Sequence, residues 1–139
     1  MQPYLVQSIH DNGHTTTTQP HVRHQVISAN TAKLLSGMLV SAANYNKQAT
    51  FPGYSVAVKT GTATVQGLPD TETEASMAGF LPASNPQFVI LVKIDRPSAT
   101  IAGGTAIFGG TAAAPLWKSI AEQLMWHYNV PSDLPIGGA

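Results

Sequence analysis

The sequence contains no cysteine, which excludes a disulfide framework and zinc–thiolate sites and leaves the compartment open. It is also short of charge. Only 10% of its 139 residues are Asp, Glu, Lys or Arg, against roughly 25% in ordinary globular domains. Seven basic residues balance seven acidic ones, too few and too scattered for a groove that tracks phosphates or for attraction to an anionic membrane. No run approaches the about 18 apolar residues of a membrane span, and no leader-like pattern follows Met1. No export or anchoring signal is therefore expected within the chain. The five histidines stand at 10, 14, 21, 24 and 127. Without an acidic cluster beside them they read as solvated or turn residues rather than metal ligands.

Hydrophobic residues make up 43% of the chain, enough for a core, and the length fits one domain or a piece of a larger one. An apolar composition under so few charges implies that part of the surface is normally covered by protein. Periodicity predicts a mixed α+β fold. Met1–His10 reads as extended, Asp11-Asn12-Gly13 as a turn and Thr15–Thr18 as an exposed loop or hairpin tip. A second short strand over His21–Ile27 completes a small β-ribbon. Ala32, Leu34, Leu35, Met38, Leu39, Ala42 and Ala43 recur at helical spacing, which predicts a helix over about 30–44 with one apolar face.

Three strands in an antiparallel meander are expected next, at 54–65, 76–81 and 88–95, with an acidic loop at Gly67–Glu74. Phe88-Val89-Ile90-Leu91-Val92 is apolar throughout rather than alternating, the mark of a central strand covered on both faces. Arg96–Thr111 is glycine-rich and reads as a loop, with no Gly-x-x-x-x-Gly-Lys to cradle a phosphate. Leu116, Trp117, Ile120, Ala121, Leu124 and Met125 stripe a last helix over about 115–128, with Pro115 suited to its first turn. The tail from about 130 to 139 is expected to fray.

Within the first meander strand stands Lys59-Thr60-Gly61-Thr62. Lys-Thr-Gly is one of three short motifs that build a serine acyl-transferase site, beside a nucleophilic Ser-x-x-Lys and a Ser-x-Asn. No serine of this chain has lysine three positions on. Ser28-Ala29-Asn30 matches Ser-x-Asn in letters, but Ser28 stands at a helix start, where its hydroxyl can accept an orphan backbone N–H.

The neighbours of the motif extend the match. Val26-Ile27-Ser28 with Thr31-Ala32 opens the first helix, and Val56-Ala57 leads into Lys59-Thr60-Gly61-Thr62-Ala63. Ala78-Gly79-Phe80 with Pro82, Asn85-Pro86, Ile94-Asp95-Arg96-Pro97 and Gly109-Gly110 with Ala113-Ala114-Pro115 follow in order. This succession resembles the C-terminal part of the transpeptidase domain of class B penicillin-binding proteins, the bacterial cell-wall transpeptidases. It runs from about Gln2 to Tyr128 and corresponds to less than half of such a domain. One departure is Val58, where the family usually has glycine; a β-branched side chain there would fill space beside the motif.

The resemblance implies a peptidoglycan D,D-transpeptidase site that needs neither cofactor nor metal. Lys59 would supply positive charge to the terminal carboxylate of a D-Ala-D-Ala stem peptide or a β-lactam, and would hydrogen-bond the serine of the absent Ser-x-Asn. Thr60 and Thr62 would offer hydroxyls to that carboxylate. The Thr62 N–H would form half of an oxyanion hole, and Gly61 would let substrate approach closely. Because alternation puts Lys59 and Gly61 on one strand face and Thr60 and Thr62 on the other, both can serve one cleft only from an edge strand.

Residues 1–139 are thus expected to be the C-terminal portion of a transpeptidase domain, inactive alone, produced by a split or frameshifted gene or an incomplete gene model, and completed by an N-terminal half. The parent site would face the outside of the bacterial cytoplasmic membrane. An alternative is a non-catalytic module of the same lineage that binds peptidoglycan or a partner protein. Residues 88–95 would lose their neighbours in such a piece and expose an apolar edge prone to self-association.

Overall fold

A computed structural model describes residues 1–45, 47–67, 69, 72–97 and 107–135. The chain divides into two compact units, Met1–Ala32 and Lys33–Ala139.

In the first unit, Asn12 and Gly13 take positive φ of 45° and 81°, the left-handed pair that a two-residue type I′ hairpin turn requires. They join β1 (Ser8–Asp11) to β2 (His14–Thr17), pairing Asp11 with His14, His10 with Thr15, and Ile9 with Thr16. The ribbon is therefore present but shifted from its expected place. The threonine tract is its second strand rather than a tip, and residues 21–27 form no strand. So tight a turn pairs the residues that immediately follow it, and threonine is β-branched and suited to a pleat. Residues beyond contribute isolated links, such as the Gln2 N–H donating to the His21 carbonyl at 2.8 Å.

Helix α1 (Ala29–Tyr45) starts where Ser28 caps it: the Ser28 hydroxyl oxygen accepts the Thr31 N–H at 3.1 Å. Ser28-Ala29-Asn30 is thus a helix cap, as its position implied. Of the expected apolar face only Ala43 is buried, Ala32 is half-buried and Ala42 is exposed. Leu39 and Val40 are half-buried, whereas Leu34, Leu35 and Met38 are exposed. A 3₁₀ turn, Lys47–Ala49, follows and buries Ala49.

The second unit is built on an antiparallel sheet of β3 (Ala57–Thr64), β4 (Thr73–Leu81) and β5 (Phe88–Asp95), in that order. Strand β4 begins three residues before its expected start, so Thr73 and Glu74 belong to the sheet and not to the acidic loop. Val65 and Glu72 continue the ladder through a bond of 3.0 Å. The central strand is β4, not β5. In β5 Ile90 and Val92 are buried, while Val89 and Leu91 remain 83% and 70% exposed. The unbroken apolar run reports two apolar faces; only one is covered here.

What covers it is α2 (Ala114–His127), entered through a π-helical turn at Gly109–Ala113. The turn replaces the end of the expected loop; Gly103-Gly104 lie outside the described residues. Trp117 is wholly buried and its indole Nε1–H donates to the Ile90 carbonyl at 3.0 Å, pinning the helix to β5. Ala114, Ala121 and Met125 are buried beside it, while Leu116 is half exposed at the stripe's margin.

The segment expected to fray is held as far as Leu134. The Asp133 and Leu134 N–H groups both donate to the Gly53 carbonyl, at 3.0 and 3.1 Å. One Asp133 carboxylate oxygen accepts the Ser55 N–H at 2.7 Å; the other accepts the Ser55 hydroxyl in a short bond and the Ser84 hydroxyl at 2.6 Å. The Tyr54 hydroxyl donates to the Val130 carbonyl at 2.6 Å.

Candidate functional site

Strand β3 is an edge of its sheet: β4 lies on one side, and no described strand lies on the other. Register then assigns its faces. Thr60 and Thr62 pair with Met77 and Ala75, which are buried; Lys59 and Gly61 pair with Ala78 and Ser76 on the opposite face. The alternation drawn from the motif is the one the strand adopts, and its edge position leaves both faces accessible from one rim.

A cleft of about 910 Å³ opens along that rim, lined by Ser41, Ala42, Tyr45, Lys47, Gln48, Val58, Lys59 and Thr60. Consecutive strand residues point to opposite faces, so three in a row can line one cleft only where it meets the edge. Lys59 and Lys47 give the lining two cations, and among the described residues it includes no carboxylate. The Lys59 ammonium donates to the Thr60 carbonyl at 2.6 Å, which lays the side chain along the strand. Gly61 and Thr62 lie further along the same edge, outside the lining of this cleft.

Val58 does not crowd the motif's solvent side. It is 2% exposed and stands opposite Gly79 across the ladder. A Cβ added to Gly79 would lie 2.6 Å from Val58 Cγ1 and 2.8 Å from the Trp117 ring. Valine at 58 and glycine at 79 therefore share one space in the core.

Gly61 has a packing role of its own. The position of its missing Cβ is 2.6 Å from the Ser76 hydroxyl oxygen. On its other side the Gly109 turn approaches so closely that a Cβ there would fall 2.3 Å from the Ser76 carbonyl oxygen and 2.5 Å from that of Gly61. The Gly109 N–H donates to Thr62 Oγ1 at 3.0 Å. These are the participants that sequence reading missed. The double glycine before α2 was the only signal for Gly109, and nothing singled out Ser76 or Lys47.

The family model for the penicillin binding protein transpeptidase domain matches residues 1–122. Among curated relatives, the chain is 32% identical over 115 residues to a peptidoglycan D,D-transpeptidase FtsI of Buchnera aphidicola, covering 78% of this chain but 19% of that protein. Among solved structures, it resembles the transpeptidase domain of penicillin-binding protein 3 from Burkholderia pseudomallei, with a TM-score of 0.72 and 32% identity over 87% of this chain and 38% of that one. It resembles likewise penicillin-binding protein 3 of Mycobacterium tuberculosis, solved with ampicillin: the TM-score is 0.71 and the identity 30%, over 92% of this chain and 32% of the other. The chain thus spans about a fifth of that curated relative and about a third of these solved chains.

Proposed function

Because the chain belongs to the penicillin-binding protein transpeptidase domain family, we propose that it supplies the lysine-motif wall of a serine D,D-transpeptidase site that cross-links peptidoglycan stem peptides. The observation that carries this reading is Lys59-Thr60-Gly61-Thr62 on a sheet edge with no described strand beyond it, its first two residues lining a cationic cleft. An extended peptide can lie along such an edge as an added strand. Lys59 then draws in the terminal carboxylate of a D-Ala-D-Ala stem or a β-lactam, and the Thr60 and Thr62 hydroxyls hold it. The Thr62 N–H supports the oxyanion as the acyl carbon becomes tetrahedral. Ampicillin in the Mycobacterium tuberculosis neighbour supports β-lactams as ligands of the completed site.

Acyl transfer needs a serine nucleophile with a proton acceptor, and no Ser-x-x-Lys occurs in these 139 residues. We assign both to the N-terminal half of the domain, with Ser-x-Asn, and place the completed site on the outer face of the cytoplasmic membrane. Among the described residues no helix is long and apolar enough to cross a membrane. Apart from its other half, the chain is inactive and self-associates through the exposed Val89 and Leu91 of β5.

The test is co-production with an N-terminal piece carrying Ser-x-x-Lys and Ser-x-Asn, followed by labelled penicillin. The expected result is covalent label on that piece only when both are present. A folded pair that takes up no penicillin while binding stem peptide would replace this reading with the non-catalytic module.

A further inference from the structure

Thr62 is gripped from behind. A hydroxyl has one proton to donate and oxygen lone pairs to accept with, and Gly109 has taken the accepting side at 3.0 Å. The hydroxyl proton is thereby directed away from Gly109, on a threonine that is exposed to solvent. Whatever meets it there must be a hydrogen-bond acceptor, and an ionised carboxylate is the strongest acceptor that a peptide terminus offers.

The grip is built into the backbone. Gly109 can reach Thr62 only because it has no side chain: an added Cβ would lie 2.3 Å from the Ser76 carbonyl oxygen and 2.5 and 3.1 Å from Gly61 O and N. Just before it, Ile107 is tied to the start of β4, where the buried Thr73 hydroxyl donates to the Ile107 carbonyl at 2.5 Å. After it, α2 is anchored by Trp117. A donor fixed on both sides holds its acceptor in one rotamer, which removes an ordering cost from ligand binding.

We propose that Gly109 is a positioning residue whose backbone N–H fixes the Thr62 hydroxyl as a donor to the carboxylate end of the ligand. The ligand part of this proposal rests on the function proposed above; the Gly109–Thr62 hold does not. Two measurements separate them. Residue-resolved amide exchange on the chain itself is expected to show the Gly109 N–H protected in the wild type and in Thr62→Ser. In Thr62→Val, which keeps the shape but not the oxygen, exchange accelerates by about tenfold.

In the completed two-piece domain, Thr62→Ser keeps most of the penicillin uptake, while Thr62→Val and Gly109→Ala each lose on the order of tenfold or more. The double variant loses no more than the worse single one, since both remove the same hydrogen bond. If Gly109→Ala fails to fold, the Thr62 pair decides. Equal Gly109 exchange in the wild type and Thr62→Val, or wild-type uptake by a folded Gly109→Ala domain, would overturn the proposal. A wild-type domain that takes up no penicillin refutes the functional reading and the ligand part with it, while exchange still decides the hold.

Discussion

Val58 and Gly79 face each other across β3 and β4, and the valine methyl occupies the space that a side chain at 79 would need. Gly79→Ala would also press on the Ala57 carbonyl oxygen at 2.7 Å and the Trp117 ring at 2.8 Å. Overpacking of this kind costs about 1–3 kcal/mol. Urea unfolding is expected to show that loss, and Val58→Ala combined with it should lose less than the sum of the two, because one of the three clashes is relieved.

Trp117 closes the core from the other side. Trp117→Phe removes the only indole donor to the Ile90 carbonyl among the described contacts and leaves a void. A buried acceptor left unpaired costs about 1–3 kcal/mol, so thermal unfolding should move down by several degrees. An unchanged midpoint would show that α2 does not depend on this bond.

Asp133 gives the fold an acid-sensitive latch. Partial burial alone would raise its pKa, but hydrogen bonds from the Ser55 and Ser84 hydroxyls and from their backbone outweigh it, and the carboxyl titrates below its ordinary value. A depressed folded pKa stabilises the fold above the unfolded pKa, roughly 3.9, and that contribution is lost as pH falls through the folded value. Asp133→Ala is expected to cost on the order of 1 kcal/mol near neutrality, allowing for solvent screening. Its difference from wild type should shrink below about pH 4. A difference that stays constant down to pH 2 would refute the latch.

Lys59 is exposed, and its ammonium donates to the neighbouring Thr60 carbonyl. Lys59→Ala should leave stability within about 0.5 kcal/mol of wild type while lowering penicillin uptake by the completed domain on the order of a hundredfold. Normal uptake with normal folding would remove Lys59 from the site.

Val89 and Leu91 project from the uncovered face of β5. Replacing both by lysine is expected to shift the isolated chain towards monomer in light scattering, since charges on an open strand oppose edge pairing. Equal association in the variant would assign self-association to another surface.

Much of this was legible in residue patterns because the signals are local. Helix α1 runs over 29–45 where 30–44 was expected, and α2 over 114–127 where 115–128 was expected. Strand β5 lies where its apolar run predicted. The misplaced ribbon strand arose from reading four threonines as a tip, when the Asn-Gly turn had already set the register. An apolar run records what a strand's faces require, not which neighbours it has: β5 reads as central by composition, yet among the described strands it stands at an edge, as expected of residues 88–95 without their neighbours.

The sequence by itself determined the family, the meander with its two helices, and the motif's place in the first meander strand. Each rests on spacing within a few residues, and spacing survives without knowledge of the rest of the chain. Only tertiary structure decided that Val58 turns into the core over Gly79, that Asp133 ties the tail to Ser55, and that Gly109 reaches Thr62 from 47 residues away. These contacts join positions distant in the chain, and a missing Cβ acquires its meaning only when the atom that fills its space is known.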